Sequence, residues 1–169
     1  PVPFIPRPGR GAFEADPDCL WTLKPNTKVE HSTTPAEGGE PKKFWVEISS
    51  QGIRDREFGP KEPGEFRIAL VGDSLAMGWG LAVEKAPPRA LERALRARGL
   101  DREVSVINMG VAGFGPWQER HFFLKRGLPL EPDLVVLELY PENDVHNTLT
   151  RVGKYLQCYD KGWEDIVVY

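Results

Sequence analysis

The chain is poor in the side chains that most often hold metals or form disulfides, with two cysteines and three histidines in 169 residues. Cys19 and Cys158 have no metal-ligand spacing and are too few for a disulfide framework, so no metal site and no disulfide scaffold is expected. No apolar run approaches the roughly 18 to 20 residues needed to cross a bilayer, and no signal-peptide pattern opens the chain. Neither sign of charge dominates. With 22 basic and 25 acidic residues the net charge is -3, so neither nucleic acid nor an acidic membrane surface is an expected partner. Nucleotide-binding patterns are missing too. There is no Walker A sequence, and Gly78 and Gly80 are followed by Val83 where a G-x-G-x-x-G would carry its third glycine. The nucleophile pattern G-x-S-x-G is not met, since Ala76 stands at the second glycine. No cofactor is expected, and a small neutral molecule is the default substrate.

What the chain does have is the stretch from Arg67 to Gly78, in which Ile68-Ala69-Leu70-Val71 runs straight into Gly72-Asp73-Ser74 and then into a glycine-containing loop. It reads as a buried strand delivering a serine at its carboxyl end, where open α/β sheets keep their chemistry. Two more apolar runs follow the same plan. Val104-Ser105-Val106-Ile107 leads into Asn108-Met109-Gly110-Val111-Ala112-Gly113, and Leu134-Val135-Val136-Leu137-Glu138-Leu139 leads into Tyr140 to Asp144. The last run reads as a parallel strand covered on both faces, with Glu138 discordant. Between the runs, Ala86 to Arg98 carries a helical stripe of Ala90, Leu91, Ala94 and Leu95, with Arg89, Glu92, Arg93 and Arg96 opposite. Pro87 and Pro88 fit its first turn and Gly99 ends it. Pro116 to Arg126 reads as a second helix, ended by Gly127.

Alternating β-α-β-α-β predicts a right-handed, doubly wound parallel sheet of flavodoxin-like type, a three-layer α/β/α arrangement with the Ser74 strand in the middle. Its three loops, Gly72 to Gly80, Asn108 to Gly115 and Tyr140 to Asp144, then open on one rim. A serine there is a candidate nucleophile, and glycines there let a main-chain N–H approach a substrate oxygen.

Ahead of this domain, residues 1–18 hold Pro1, Pro3, Pro6, Pro8 and Pro17 and read as an extended leader or linker. Residues 19–64 read as a small antiparallel β extension. In Phe44-Trp45-Val46-Glu47-Ile48 the alternation predicts a strand with Phe44, Val46 and Ile48 on one side. The charged run Arg54 to Glu57 reads as a structural ion-pair network. Residues 65–169 form the main domain, whose tail from Tyr155 to Tyr169 reads as a hairpin.

Gly72-Asp73-Ser74-Leu75 spells the signature of the GDSL family, and Asn108 to Gly113 and Glu142-Asn143-Asp144 resemble the next two blocks of the SGNH hydrolase superfamily, in the right order. The segment Ser50 to Glu57 is similar to the lead-in of a bacterial branch of that superfamily. The resemblance implies an ester hydrolase or acyltransferase in which Ser74 attacks an ester carbonyl. The N–H of Ser74, the N–H of Gly113 and the side-chain amide of Asn143 would form its oxyanion hole, for acyl or acetyl esters of lipids or carbohydrates. The residues read singly offer plainer roles: a helix cap for Ser74, a turn for Gly113, a turn former for Asn143.

One departure stands out. The superfamily draws its catalytic His, with an Asp three residues earlier, from a late loop, and no D-x-x-H occurs in this chain. His31 lies in the polar leader region, His121 on the second helix, and His146 beside Asp144 at the rim. The chain begins with Pro1 rather than Met and is expected to be processed or part of something longer, with the missing pair beyond Tyr169. A noncatalytic carbohydrate- or acyl-binding module on the same scaffold is the alternative. Trp79 and Trp117 flank two loops, where they would pack in the core or stack on a sugar. The expected partner is a small ester, with self-association through the edge of the third strand. The compartment stays open between bacterial cytoplasm and export.

Overall fold

The computed structural model describes residues 11–33, 39–141 and 144. Three parallel strands form the central sheet: β5 (Phe66–Gly72), β6 (Val104–Gly110) and β7 (Leu134–Leu137), in the order β6-β5-β7. The strand that delivers Ser74 is therefore central, as the alternation of elements requires. Register pairs Gly72 with Gly110 and Val71 with Leu137, so the three carboxyl ends finish level on one rim.

The two faces of β5 feed two hydrophobic clusters, as a period of two dictates. Ile68 and Leu70 join Val104 and Val106 under Leu91 and Leu95 of the helix α2 (Pro87–Arg96). Ala69 and Val71 face the other way, onto Ile107, Met109, Phe114 and Phe122, the last on the helix α3 (Pro116–Phe122). The buried face of α2 differs from the one its stripe suggests: Ala90 and Ala94 are exposed, while Glu92 is buried against the sheet. A carboxylate takes the inner position because the Val106 N–H and the guanidinium groups of Arg89 and Arg56 reach it there. After α3 the chain widens into one five-residue turn, Phe123–Gly127, and then tightens over Leu128–Leu130.

The sequence reading of β6 stopped at Ile107. The strand in fact continues through Asn108, Met109 and Gly110, so only the residues after Gly110 form the second rim loop. The reading of β7 as covered on both faces is also corrected. It is parallel, but Leu134, Val135 and Leu137 are each 44 to 50% exposed. An apolar run records the strand's β preference and not which faces have neighbours. The edge stands bare among the described residues, and the Tyr155 to Tyr169 hairpin expected beside it lies outside them.

Four antiparallel strands precede the sheet: β1 (Phe13–Asp16) with β2 (Leu20–Leu23), and β3 (Thr27–Thr33) with β4 (Lys42–Ile48). β4 follows its alternation, with Phe44, Val46 and Ile48 buried and Trp45 and Glu47 exposed. The Pro-rich leader reading fails at its end. Residues 11–16 contain no proline, so β1 forms there and buries Ala12 and Phe13. These strands share one core with the sheet, since Trp21, Leu23 and Phe44 belong to the same cluster as Val71 and Met109. Trp21 Nε1 also donates to the Ala112 carbonyl at 3.3 Å, which ties β2 to the second rim loop.

Candidate active site

Ser74 opens the helix α1 (Ser74–Met77), one turn long, set on the carboxyl end of β5. Asp73 caps it by accepting the Leu75 N–H at 2.7 Å, and Gly78 closes it in the left-handed conformation at φ 75°. The serine is half-buried, while Ala76 and Met77 are buried beneath it. Close approach explains two glycines around this turn. A Cβ on Gly110 would collide with the main chain of Ala76 and Met77, and one on Gly72 would come within 2.8 Å of both Ala76 Cβ and Glu138 Oε2. α1 thus lies directly on the end of β6. The motif glycines are needed for this packing whatever the chemistry.

The second rim loop is fastened on both sides. The Val111 N–H donates to the Gly72 carbonyl at 3.1 Å, the Phe114 N–H to the Val111 carbonyl at 3.2 Å, and the Gln118 amide to the Cys19 carbonyl at 2.8 Å. Gly113 sits in this turn at φ 80°, half-exposed, in a conformation that disfavours any side chain. Asn108, read from sequence as a loop residue, points back into the structure. Its Oδ1 accepts the Gly110 N–H at 3.0 Å and its Nδ2 donates to the Met77 carbonyl at 3.3 Å. Ser74 and Gly113 therefore follow neighbouring strands on one rim, while Asn143 lies outside the described residues.

Glu138, unexplained by the sequence, reaches the Ser74 turn. Its carboxylate accepts the Ala76 N–H and lies over Gly72. It is one of four acids gathered behind the serine, with Asp73, Glu119 and Asp144. Burial pushes the Glu119 carboxyl up to about 8, and the charges of Asp144, Asp73 and Glu138 add to the rise. Glu138 and Asp144 are also raised, in each case first by burial. Both oxygens of Glu119, Oε2 of Glu138 and Oδ1 of Asp144 make no hydrogen bond. Among the described residues no group of acids, histidines and cysteines can hold a metal ion.

The two described histidines do other things. His31, assigned from sequence to a polar region, lies on β3 with its ring 5.0 Å from that of Trp79 and 5.9 Å from that of Phe44. Burial, helped by the charge of Arg54, holds its pKa below the ordinary value. His121 turns its Nδ1 to the Trp117 carbonyl at 2.7 Å. His146 lies outside the described residues. Trp79 packs against Phe13, His31 and Phe44, and Trp117 meets the His121 ring edge-on.

Solved structures similar to this chain include two of one esterase. One is AlinE4, an SGNH-hydrolase family esterase, with 28% identity over 64% of this chain and 58% of that one, at a TM-score of 0.42. The other is a point mutant of the same esterase, with 29% identity over 59% of this chain and 57% of that one, at a TM-score of 0.40. The chain thus spans a little over half the length of either. No protein-family model and no curated protein matches it.

Proposed function

We propose that the chain carries the nucleophile side of a serine-dependent ester hydrolase or acyltransferase site. The observation that supports this most is the placement of Ser74 as the first residue of a one-turn helix on the central strand, half-exposed at the rim that also holds Gly113. In this reading Ser74 Oγ attacks the ester carbonyl carbon while its proton passes to a base. The N–H groups of Ser74 and Gly113 and the amide of Asn143 receive the negative oxygen that forms, and losing one such donor typically costs about 100- to 1000-fold in rate. The tetrahedral intermediate then collapses, the alcohol leaves, and water or a second alcohol takes the acyl group. Acyl or acetyl esters of lipids or carbohydrates are the substrate class.

A second reading is a noncatalytic carbohydrate- or acyl-binding module. The two described histidines favour it, since His31 packs among aromatic rings and His121 is bound to a carbonyl. One experiment separates the two. The 169-residue chain is expected to hydrolyse p-nitrophenyl acetate slowly or not at all and to label weakly with a fluorophosphonate. Where the gene continues past Tyr169 into a D-x-x-H, the extended chain is expected to do both, and Ser74→Ala to abolish both. An extended chain that neither hydrolyses nor labels leaves the binding-module reading standing.

A further inference from the structure

We propose that Arg54 is the positioning residue of the Ser74 turn, and that the N-terminal β extension acts on the site through it. The proposal rests on Ser74 being the nucleophile. Arg54 is fully buried, on the long segment between β4 and β5. Its Nη1 donates to the Met77 and Gly78 carbonyls, both at 2.9 Å, and its Nη2 donates to Trp45 at 3.0 Å and Leu81 at 2.6 Å. All four bonds end on main-chain carbonyl oxygens rather than on carboxylates. Three of those oxygens belong to the end of α1 and the turn after it, and the fourth to β4.

The location gives this arrangement its effect. A one-turn helix has little cooperativity of its own, and its last carbonyls lack partners within the helix. Inside α1 and its turn, Gly78 N–H bonds the Leu75 carbonyl and Trp79 N–H the Ser74 carbonyl. Arg54 supplies a donor to the Met77 carbonyl, and its positive charge sits at the carboxyl end of the helix, where the dipole favours a cation. The Asn108 amide adds a second donor to Met77. The planar fork of a guanidinium can meet several fixed carbonyls at once, which the point charge of a lysine cannot.

Arg54 is itself held from both sides. The Ile53 carbonyl accepts the Ser49 N–H at 2.9 Å in a turn where Gly52 takes φ 74°. On the other side Asp55 Oδ2 accepts the Asn108 N–H at 2.9 Å and bonds Arg89 at 3.1 Å. The dipeptide Arg54-Asp55 therefore joins β4, the Ser74 turn and β6. A displacement of about 1 Å at the nucleophile is enough to cost about 100-fold in rate, so a tie at this point sets turnover rather than binding.

Where the gene continues into a D-x-x-H, the test compares the chain extended through it with its Arg54→Ala and Arg54→Lys variants on p-nitrophenyl acetate, with and without added methylguanidinium; otherwise the 169-residue chain is compared with the same variants. Hydrogen exchange of the Gly78, Trp79 and Leu81 amides is followed in each. Arg54→Ala is expected to lose about 100-fold in kcat with KM within about three-fold, and to regain about ten-fold when methylguanidinium refills the site. Arg54→Lys should fall between, and the three turn amides should exchange faster while those of β6 do not. Full kcat in Arg54→Lys, or turn amides that exchange as in the parent, would overturn the proposal, and the lysine variant decides it should the alanine variant not fold. A parent that fails to react at Ser74 refutes the hydrolase reading alone, because amide exchange still reports whether Arg54 holds the turn.

Discussion

Two buried polar clusters flank the central strand, and they differ in how many partners their acids find. Between α2 and the sheet, Glu92 is bonded by Arg56 through both oxygens, by Arg89 and by the Val106 N–H, while Asp55 takes Arg89 and the Asn108 N–H. Behind Ser74, Glu119 lies close enough to Asp73, Glu138 and Asp144 to feel their charge, and four oxygens of Glu119, Glu138 and Asp144 have no donor. In the first cluster opposite charge and N–H groups meet the buried carboxylates, although burial still raises the Asp55 carboxyl to about 7, whereas in the second, burial raises Glu119, Glu138 and Asp144 with few donors to oppose it. Burial of polar groups alone therefore says little about stability. Its sign depends on whether the partners are present.

The comparison is most easily broken at Glu92. Glu92→Leu leaves Arg89 Nη1 and the Val106 N–H without an acceptor, and losing one side of a buried pair typically costs about 3–5 kcal/mol. Urea unfolding midpoints should show a loss of that order. A loss no greater than an ordinary surface substitution would mean the cluster is not a stabilising unit.

Glu119 should answer with the opposite sign. Its folded-state pKa is raised from 4.5 to about 8, so between those values the folded protein holds a proton that the unfolded chain has released. Stability therefore falls as pH rises through that window, and the rises at Glu138 and Asp144 act in the same direction. Glu119→Met removes the unpaired oxygens and should stabilise by about 1–3 kcal/mol at pH 9, with little change at pH 5. Thermal melts across this range provide the check, and a variant less stable than the parent at pH 9 would erase the contrast between the clusters.

The smallest effect is expected at Arg56. Its side chain is 42% exposed, so water already screens its bond to Glu92. Arg56→Lys should cost less than about 1 kcal/mol. A larger loss would show that the paired cluster reaches further toward solvent than its geometry implies.

Much of the fold was legible from residue order. The run Ile68 to Val71 ending in Gly-Asp-Ser, two later runs ending in rim loops, and helices between them leave few topologies once crossovers are right-handed, and the order β6-β5-β7 follows. The alternation in β4 and the glycine breaks were equally visible, because they depend on local sterics and a period of two. Other features were decided only by contacts between residues distant in the chain. The sequence marks Arg54 for an ion-pair network, Glu92 for the polar face of its helix and Glu138 as a discordant acid, and names no partner for any of them. The first turned to carbonyls 23 to 27 residues away, the second to Arg56 and the Val106 N–H, and the third to the Ser74 turn. The exposure of β7 was hidden for the same reason: Leu134, Val135 and Leu137 state a preference for burial, but only the arrangement of neighbouring elements decides whether anything covers them. A residue's type sets what it needs, and tertiary packing sets what it is given.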